Sequence, residues 1–197
     1  TGAYQPDPVS VGRRSLANLA LNNLCRVARD TGDTVWPGKA YQRAKDATNM
    51  TDREGAIEAL LDGQSALTQP ALDKLYALFK DEALVIDKWF ALQAGRNDVN
   101  GEVLESVKQL MKHPDFQLTN PNRMRSVLSM FCNWNPGAFH RQDAAGYAFW
   151  ADQVLALDAI NGQMAARLVR AMEHWKRLAE PYRSAAHAAI ARVAAKP

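Results

Sequence analysis

Apolar residues recur along this chain at three- and four-residue spacing almost from end to end, and the period-2 alternation of half-buried strands is nearly absent. Residues 10–30 carry Leu16, Leu19, Ala20, Leu24 and Val27 as one stripe that stops at Gly32. A weaker helix is expected over 37–47, around Tyr41 and Ala44. Thr51, with Glu54 three residues on, reads as a capping box ahead of Ile57, Leu60 and Leu61. Pro70 suits a first turn, and the helix it opens carries Leu72, Leu75, Tyr76 and Phe79. The stretch 83–94 is apolar almost all round, the pattern of a helix packed on several sides. Val103, Leu104, Val107 and Leu110 mark a helix over 101–112. A loop begins at Pro114, and a helix then runs from Pro121 to about Asn133 with Asn120 placed to cap it. Asp143 opens a helix bearing Tyr147, Trp150, Val154 and Leu157. Met164, Leu168, Met172 and Trp175 mark 161–178, and an alanine-rich helix over 181–194 ends the chain.

The connections are short, which makes consecutive helices antiparallel neighbours. About ten such helices stack into an all-α fold, an irregular α-α superhelix of helix pairs resembling HEAT or armadillo arrays. No fixed repeat period and no linker appear, so residues 1–197 are expected to form a single helical domain.

Composition narrows the function classes. The chain is 47% apolar and 23% charged, ordinary for a globular protein. No run of about 18 apolar residues exists, which argues against a membrane span. The net charge is +3, with Lys and Arg scattered among Asp and Glu, which argues against a nucleic-acid partner. Cys25 and Cys132 are far apart and lie within apolar helical patterns, so both are expected to be buried free thiols in a reducing, cytoplasmic compartment. A chain that starts at Thr1 rather than Met is expected to be a fragment, whether natural or made, or a processed product.

The motifs of chemistry are missing. None of His113, His140, His174 and His187 has a second His four residues away, so there is no H-E-x-x-H. There is no cysteine cluster for zinc, no G-x-S-x-G and no phosphate-binding glycine loop. No catalytic residue, metal ligand or cofactor is assigned to this chain.

Three arginines sit oddly. Met124, Val127, Leu128 and Phe131 form a core stripe, and Arg123 and Arg125 lie roughly 100° to either side of it. Either both snorkel, with packed stems and solvated heads, or they line a cavity. Arg167 flanks the stripe of Met164, Leu168 and Met172. It needs carbonyls, a wet cavity or an acid such as Asp143, Asp152 or Asp158. A cavity lined by arginines would suit carboxylates, because the guanidinium fork meets two oxygens at once. His140, in Asn-Pro-Gly-Ala-Phe-His, is expected to be a hydrogen-bonded loop residue.

At these residues the chain resembles a known family. Asn120-Pro121-Asn122-Arg123-Met124-Arg125-Ser126 is similar to the N-P-N-R-x-R-S segment in the C-terminal domain of bacterial aminopeptidase N. Asn135-Pro136-Gly137-Ala138-Phe139-His140 resembles the N-P-x-A-F-H that follows it, and Asp143-Ala-Ala-Gly146-Tyr147 the next block. Asn49-Met50-Thr51-Asp52 and Asp87-Lys88-Trp89-Phe90 match two earlier blocks in order. The resemblance implies a parent zinc peptidase that removes N-terminal residues from peptides, with its zinc held by a separate catalytic domain. It implies that this chain is most of a non-catalytic C-terminal domain that packs on the catalytic domain and closes the substrate chamber. Arg125 and Arg167 would then face peptide substrates. Further helices of the family's domain would precede and follow these residues and cover the apolar surface of its end helices. The alternative is a helical-repeat scaffold that binds other proteins in its groove.

Overall fold

The computed structural model describes residues 4–196. It is all-α, with no strand among the described residues. The helices are α1 (Pro8–Thr31), α2 (Val35–Asp46), α3 (Met50–Asp62), α4 (Thr68–Phe79), α5 (Ala83–Ala94) and α6 (Glu102–Leu110). They continue with α7 (Pro121–Met124), α8 (Met130–Trp134), α9 (Pro136–Phe139), α10 (Ala145–Asp158), α11 (Gly162–Val169) and α12 (Tyr182–Ala194). The helices fall into two compact units, one running to Leu92 and the other from Gln93.

In the first unit, α1 and α2 both pack on α3. The face that α1 buries carries Leu21, Cys25 and Ala28, not the expected stripe. Leu16, Leu19 and Val27 are 67%, 59% and 58% exposed. The cause is close approach. A Cβ on Gly55 of α3 would lie 2.4 Å from the Asn18 carboxamide, so the glycine leaves the space that this side chain occupies. Asn18 Nδ2 donates to the Thr51 carbonyl at 3.2 Å and Asn22 Nδ2 to Asp62 at 2.7 Å. The contact face of α1 therefore sets asparagines beside Leu21, Cys25 and Ala28, while Leu16, Leu19 and Val27 point away.

The α3 cap also differs from expectation. Asn49, not Thr51, is the cap residue, and its side chain accepts from Asp52 N at 2.9 Å. Glu54 is drawn off to Lys88 of α5, 2.8 Å away. In α5 itself the first turn is open, with Leu84 70% exposed, and enclosure begins at Ile86. Trp89 then stacks edgewise on Phe90 with ring centroids 5.0 Å apart, and its indole donates to the Leu72 carbonyl at 3.1 Å.

The second unit is built on an aromatic cluster. Phe131 lies 5.9 Å from Phe139 and 5.7 Å from Phe149 between centroids, and Phe139 lies 5.4 Å from Tyr147. Helix α10 packs on α11 and α12. It starts at Ala145, two residues later than Asp143, whose carboxylate accepts from Ala145 N at 3.0 Å. Gly146 is required: a Cβ there would sit 2.1 Å from the Phe139 carbonyl oxygen. The 161–178 segment does not stay helical. Its α-helix ends at Val169, followed by two short 3-10 turns, Arg170–Met172 and Trp175–Arg177.

Residues 135–140, expected as a loop, contain the one-turn helix Pro136–Phe139. Asn135 makes it. Its Oδ1 accepts from Ala138 N at 3.3 Å, while its Nδ2 donates to the carbonyls of Ala94 at 3.1 Å and Arg96 at 2.8 Å. The residue is 7% exposed, so water cannot replace these bonds. Asn135→Ala should destabilise the chain by on the order of 3 kcal/mol, read as a melting temperature lower by roughly 10 °C in circular dichroism. Asn135→Asp keeps the acceptor but loses the donors, and it should be destabilised comparably. An aspartate variant as stable as the parent would show that the donated bonds carry nothing.

Candidate functional site

The segment with Arg125 starts at a built cap. Asn120 Oδ1 accepts from the backbone of Asn122 at 3.0 Å and Arg123 at 3.2 Å, and Pro121 occupies the first turn. Met124, Val127, Leu128 and Phe131 are each at most 1% exposed, so the core stripe is as expected. The helix is not uniform, however. Residues Arg125–Ser129 form a π turn between α7 and α8, and Met130 N donates to the Arg125 carbonyl. Ser126 Oγ donates to the Arg123 carbonyl at 2.8 Å inside the fold. A single-turn π bulge of this kind commonly re-aims side chains where function needs them.

The two arginines flanking the stripe are not equivalent. Arg123 is 8% exposed, whereas Arg125 is exposed and its guanidinium donates to the Asn122 carboxamide. The symmetric placement expected from an ideal helical wheel therefore does not hold: Arg123 turns inward and Arg125, where the π turn begins, turns outward. Arg167 lies on α11 between buried Ala165 and Leu168 and is itself exposed. Asp143 is engaged with Arg141 at 2.6 Å and Asp152 with Arg192 at 2.5 Å. Among the described residues no hydrogen bond or ion pair holds the Arg167 guanidinium, so its head is offered to solvent. Arg125 and Arg167 belong to the same compact unit, on separate helices.

A cavity of about 210 Å³ in the same unit gathers side chains that no sequence motif joined: Cys132, His140, Arg170, His174 and Trp175 among them. Their sequence separation hid the cluster, and only the 3-10 turns after α11 bring the last three residues to α8. Its chemistry is restrained. Burial pushes the Cys132 thiol far up, away from a reactive thiolate. His140 Nδ1 lies 2.8 Å from the Tyr147 hydroxyl, and burial pushes its pKa below the ordinary histidine value. His140 is thus a neutral, hydrogen-bonded structural residue.

The donor set does not fit a zinc site: no three His, Cys, Asp or Glu side chains come together among the described residues. No helix among them is long and apolar enough to cross a membrane. Both cysteines are free and buried, as expected.

The whole chain, residues 1–197, matches a family model described as a domain of unknown function (DUF3458_C) ARM repeats. It is 37% identical over 205 aligned residues to aminopeptidase N of Caulobacter vibrioides, covering 100% of this chain and 22% of that protein. It is 32% identical to aminopeptidase N of Escherichia coli, covering 88% of this chain and 19% of that protein. Its fold superposes on the crystal structure of Legionella pneumophila aminopeptidase A in complex with aspartic acid, with a TM-score of 0.86 and 27% identity over 98% of this chain and 23% of that one. The chain therefore spans about a fifth of the length of these relatives. The ARM-repeat match and this superposition agree with the α-α superhelix expected from the helix pattern.

Two outcomes follow from the burial. In the native chain both thiols should resist an aromatic disulfide reagent at pH 8, since burial raises Cys25 to about 11 and Cys132 further, and both should react in denaturant. Rapid native labelling of Cys132 would contradict its burial. For His140 the folded pKa lies below the unfolded one, so the unfolded chain binds more protons between the two values. The resulting stability is complete above the unfolded pKa of about 6.5 and is lost as pH falls through the folded value. Urea midpoints between pH 7.5 and pH 5 should therefore drop more for the parent chain than for His140→Asn.

Proposed function

The chain belongs to the ARM-repeat family described as a domain of unknown function, DUF3458_C, and we propose that it serves as the non-catalytic C-terminal domain of a zinc aminopeptidase that removes N-terminal residues from peptides. The observation that carries the proposal is the match along all of this chain to about a fifth of aminopeptidase N. In this role the superhelix packs on the catalytic domain of the same polypeptide and closes a chamber around the substrate. The catalytic domain holds the zinc and supplies the Lewis acid, and this chain supplies walls and charge. Two buried free thiols suit a reducing, cytoplasmic setting.

Arg125 and Arg167 are the residues assigned to the chamber wall. Both residues are exposed, and neither is paired with an acid among the described residues. A peptide leaves its carboxylate at the end remote from the amine being processed, and a guanidinium fork matches that carboxylate with two parallel bonds. Cations set in a confined wall also raise the local concentration of such substrates. The Asn122 carboxamide restrains the Arg125 side chain, so less rotamer freedom is lost when a ligand binds.

In the full-length peptidase, Arg125→Ala or Arg167→Ala should lower kcat/KM for tri- and tetrapeptides by about tenfold, the worth of one charge-assisted hydrogen bond. The change should fall mainly on KM, and an uncharged aminoacyl anilide should be turned over normally. The melting temperature should be unchanged. If either substitution unfolds the protein, or slows anilide and peptide equally, that arginine is not a substrate contact.

A further inference from the structure

The first unit holds a larger concavity of its own. It has a volume of about 890 Å³ and runs between the N-terminal half of α1, the C-terminal half of α2 and the turn into α3. Its charged lining is Arg13, Arg14, Lys39 and Arg43 against Asp46 and Asp52. The two acids are already occupied. Asp52 accepts from Arg43 Nη2 at 2.7 Å and from Asn49 at 3.0 Å, and Asp46 accepts from the Gln42 amide.

The cations are less well served. Arg14 is fixed from one side only: its Nη2 donates to the Gln5 carbonyl at 2.8 Å, and its guanidinium stacks on the Tyr4 ring at 4.4 Å. The Nε atoms of both Arg14 and Arg43 are buried and have no hydrogen-bond partner among the described residues. A desolvated N–H of a cation without an acceptor is costly, and an anion is the partner that removes the cost. Arg13 and Lys39 add positive charge at the open rim, where field lines in a concave, low-dielectric wall are focused.

We infer that this groove binds a small oxyanion, a carboxylate or phosphate group, between the Arg14 and Arg43 guanidiniums. Arg14, held by Tyr4 and the Gln5 carbonyl, is pre-aimed, and Arg43 is braced by Asp52 and by Asn18 at 2.9 Å. Thr48, Asn49 and Ser10 provide neutral polar groups beside it. The volume exceeds what a bare ion fills, so the oxyanion belongs to a ligand with an organic body.

Isothermal titration of the 197-residue chain at constant ionic strength tests this directly. The probes are phenyl phosphate and N-acetylaspartate, with chloride as the matched control. At least one probe should bind saturably with one-to-one stoichiometry. Arg14→Gln should weaken it by about tenfold or more, the loss of one charge-assisted contact. The rim double variant Arg13→Gln/Lys39→Gln, which disturbs none of the bonds above, should weaken it less but measurably. Arg125→Ala should leave it unchanged. Preference for phenyl phosphate would identify a phosphoryl ligand, and preference for N-acetylaspartate a carboxylate. No saturable binding of either probe, or binding that survives both groove variants, would overturn the inference.

Discussion

The carbonyls at helix ends are the constraint on which this fold depends. Every α-helix leaves its last four C=O groups without an intrahelical donor, and a stack of short helices multiplies such ends. Here side chains from other elements supply donors to several of them. Arg53 reaches from α3 to the end of α2, donating to Ala44 at 2.6 Å and Ala47 at 2.5 Å. Thr68 donates to Leu60 at the end of α3, 2.9 Å away. Asn135 serves Ala94 and Arg96 after α5, and the Trp150 indole serves Leu168 at the end of α11 at 2.9 Å. Each bond fixes where one helix stops relative to another, so end-capping and packing are the same event within each unit.

That coupling explains what was legible in the chain and what was not. Long stripes of large apolar residues, as in Val103, Leu104 and Val107 or Met124, Val127 and Leu128, name their own buried face, and all six are at most 3% exposed. Helix starts with an Asn-Pro signal, at Asn120 and Asn135, carry a local code as well, although the second opens a single turn too short to show a helical period. The α1 face was illegible because its neighbour approaches over Gly55 and is met by asparagines, so polarity there marks contact rather than solvent. Likewise the π turn at Arg125–Ser129 has no periodic signature.

The candidate site was legible as residues but not as geometry. Arg125 and Arg167 stand out on a helical wheel as cations beside core positions, while a wheel does not show that Arg123 is buried and both of these are exposed. The groove at Arg14 and Arg43 gave no sequence signal, since its cations come from two helices and its restraint from Tyr4 and Asp52. In both places an arginine is held by one side and open on the other. In both places the chain presents charge from its helices, which would suit the proposed role as the wall of a peptide-processing enzyme.

The most direct measurement places a thiol at the wall itself. In the full-length peptidase, Arg125→Cys introduces an accessible thiol beside the buried Cys25 and Cys132 of this chain, and labelling is read as the difference from the parent protein. The rate of its alkylation is followed with and without a saturating, slowly cleaved peptide. The account predicts that the peptide slows labelling of this thiol strongly. Labelling at the same rate with peptide bound would contradict it.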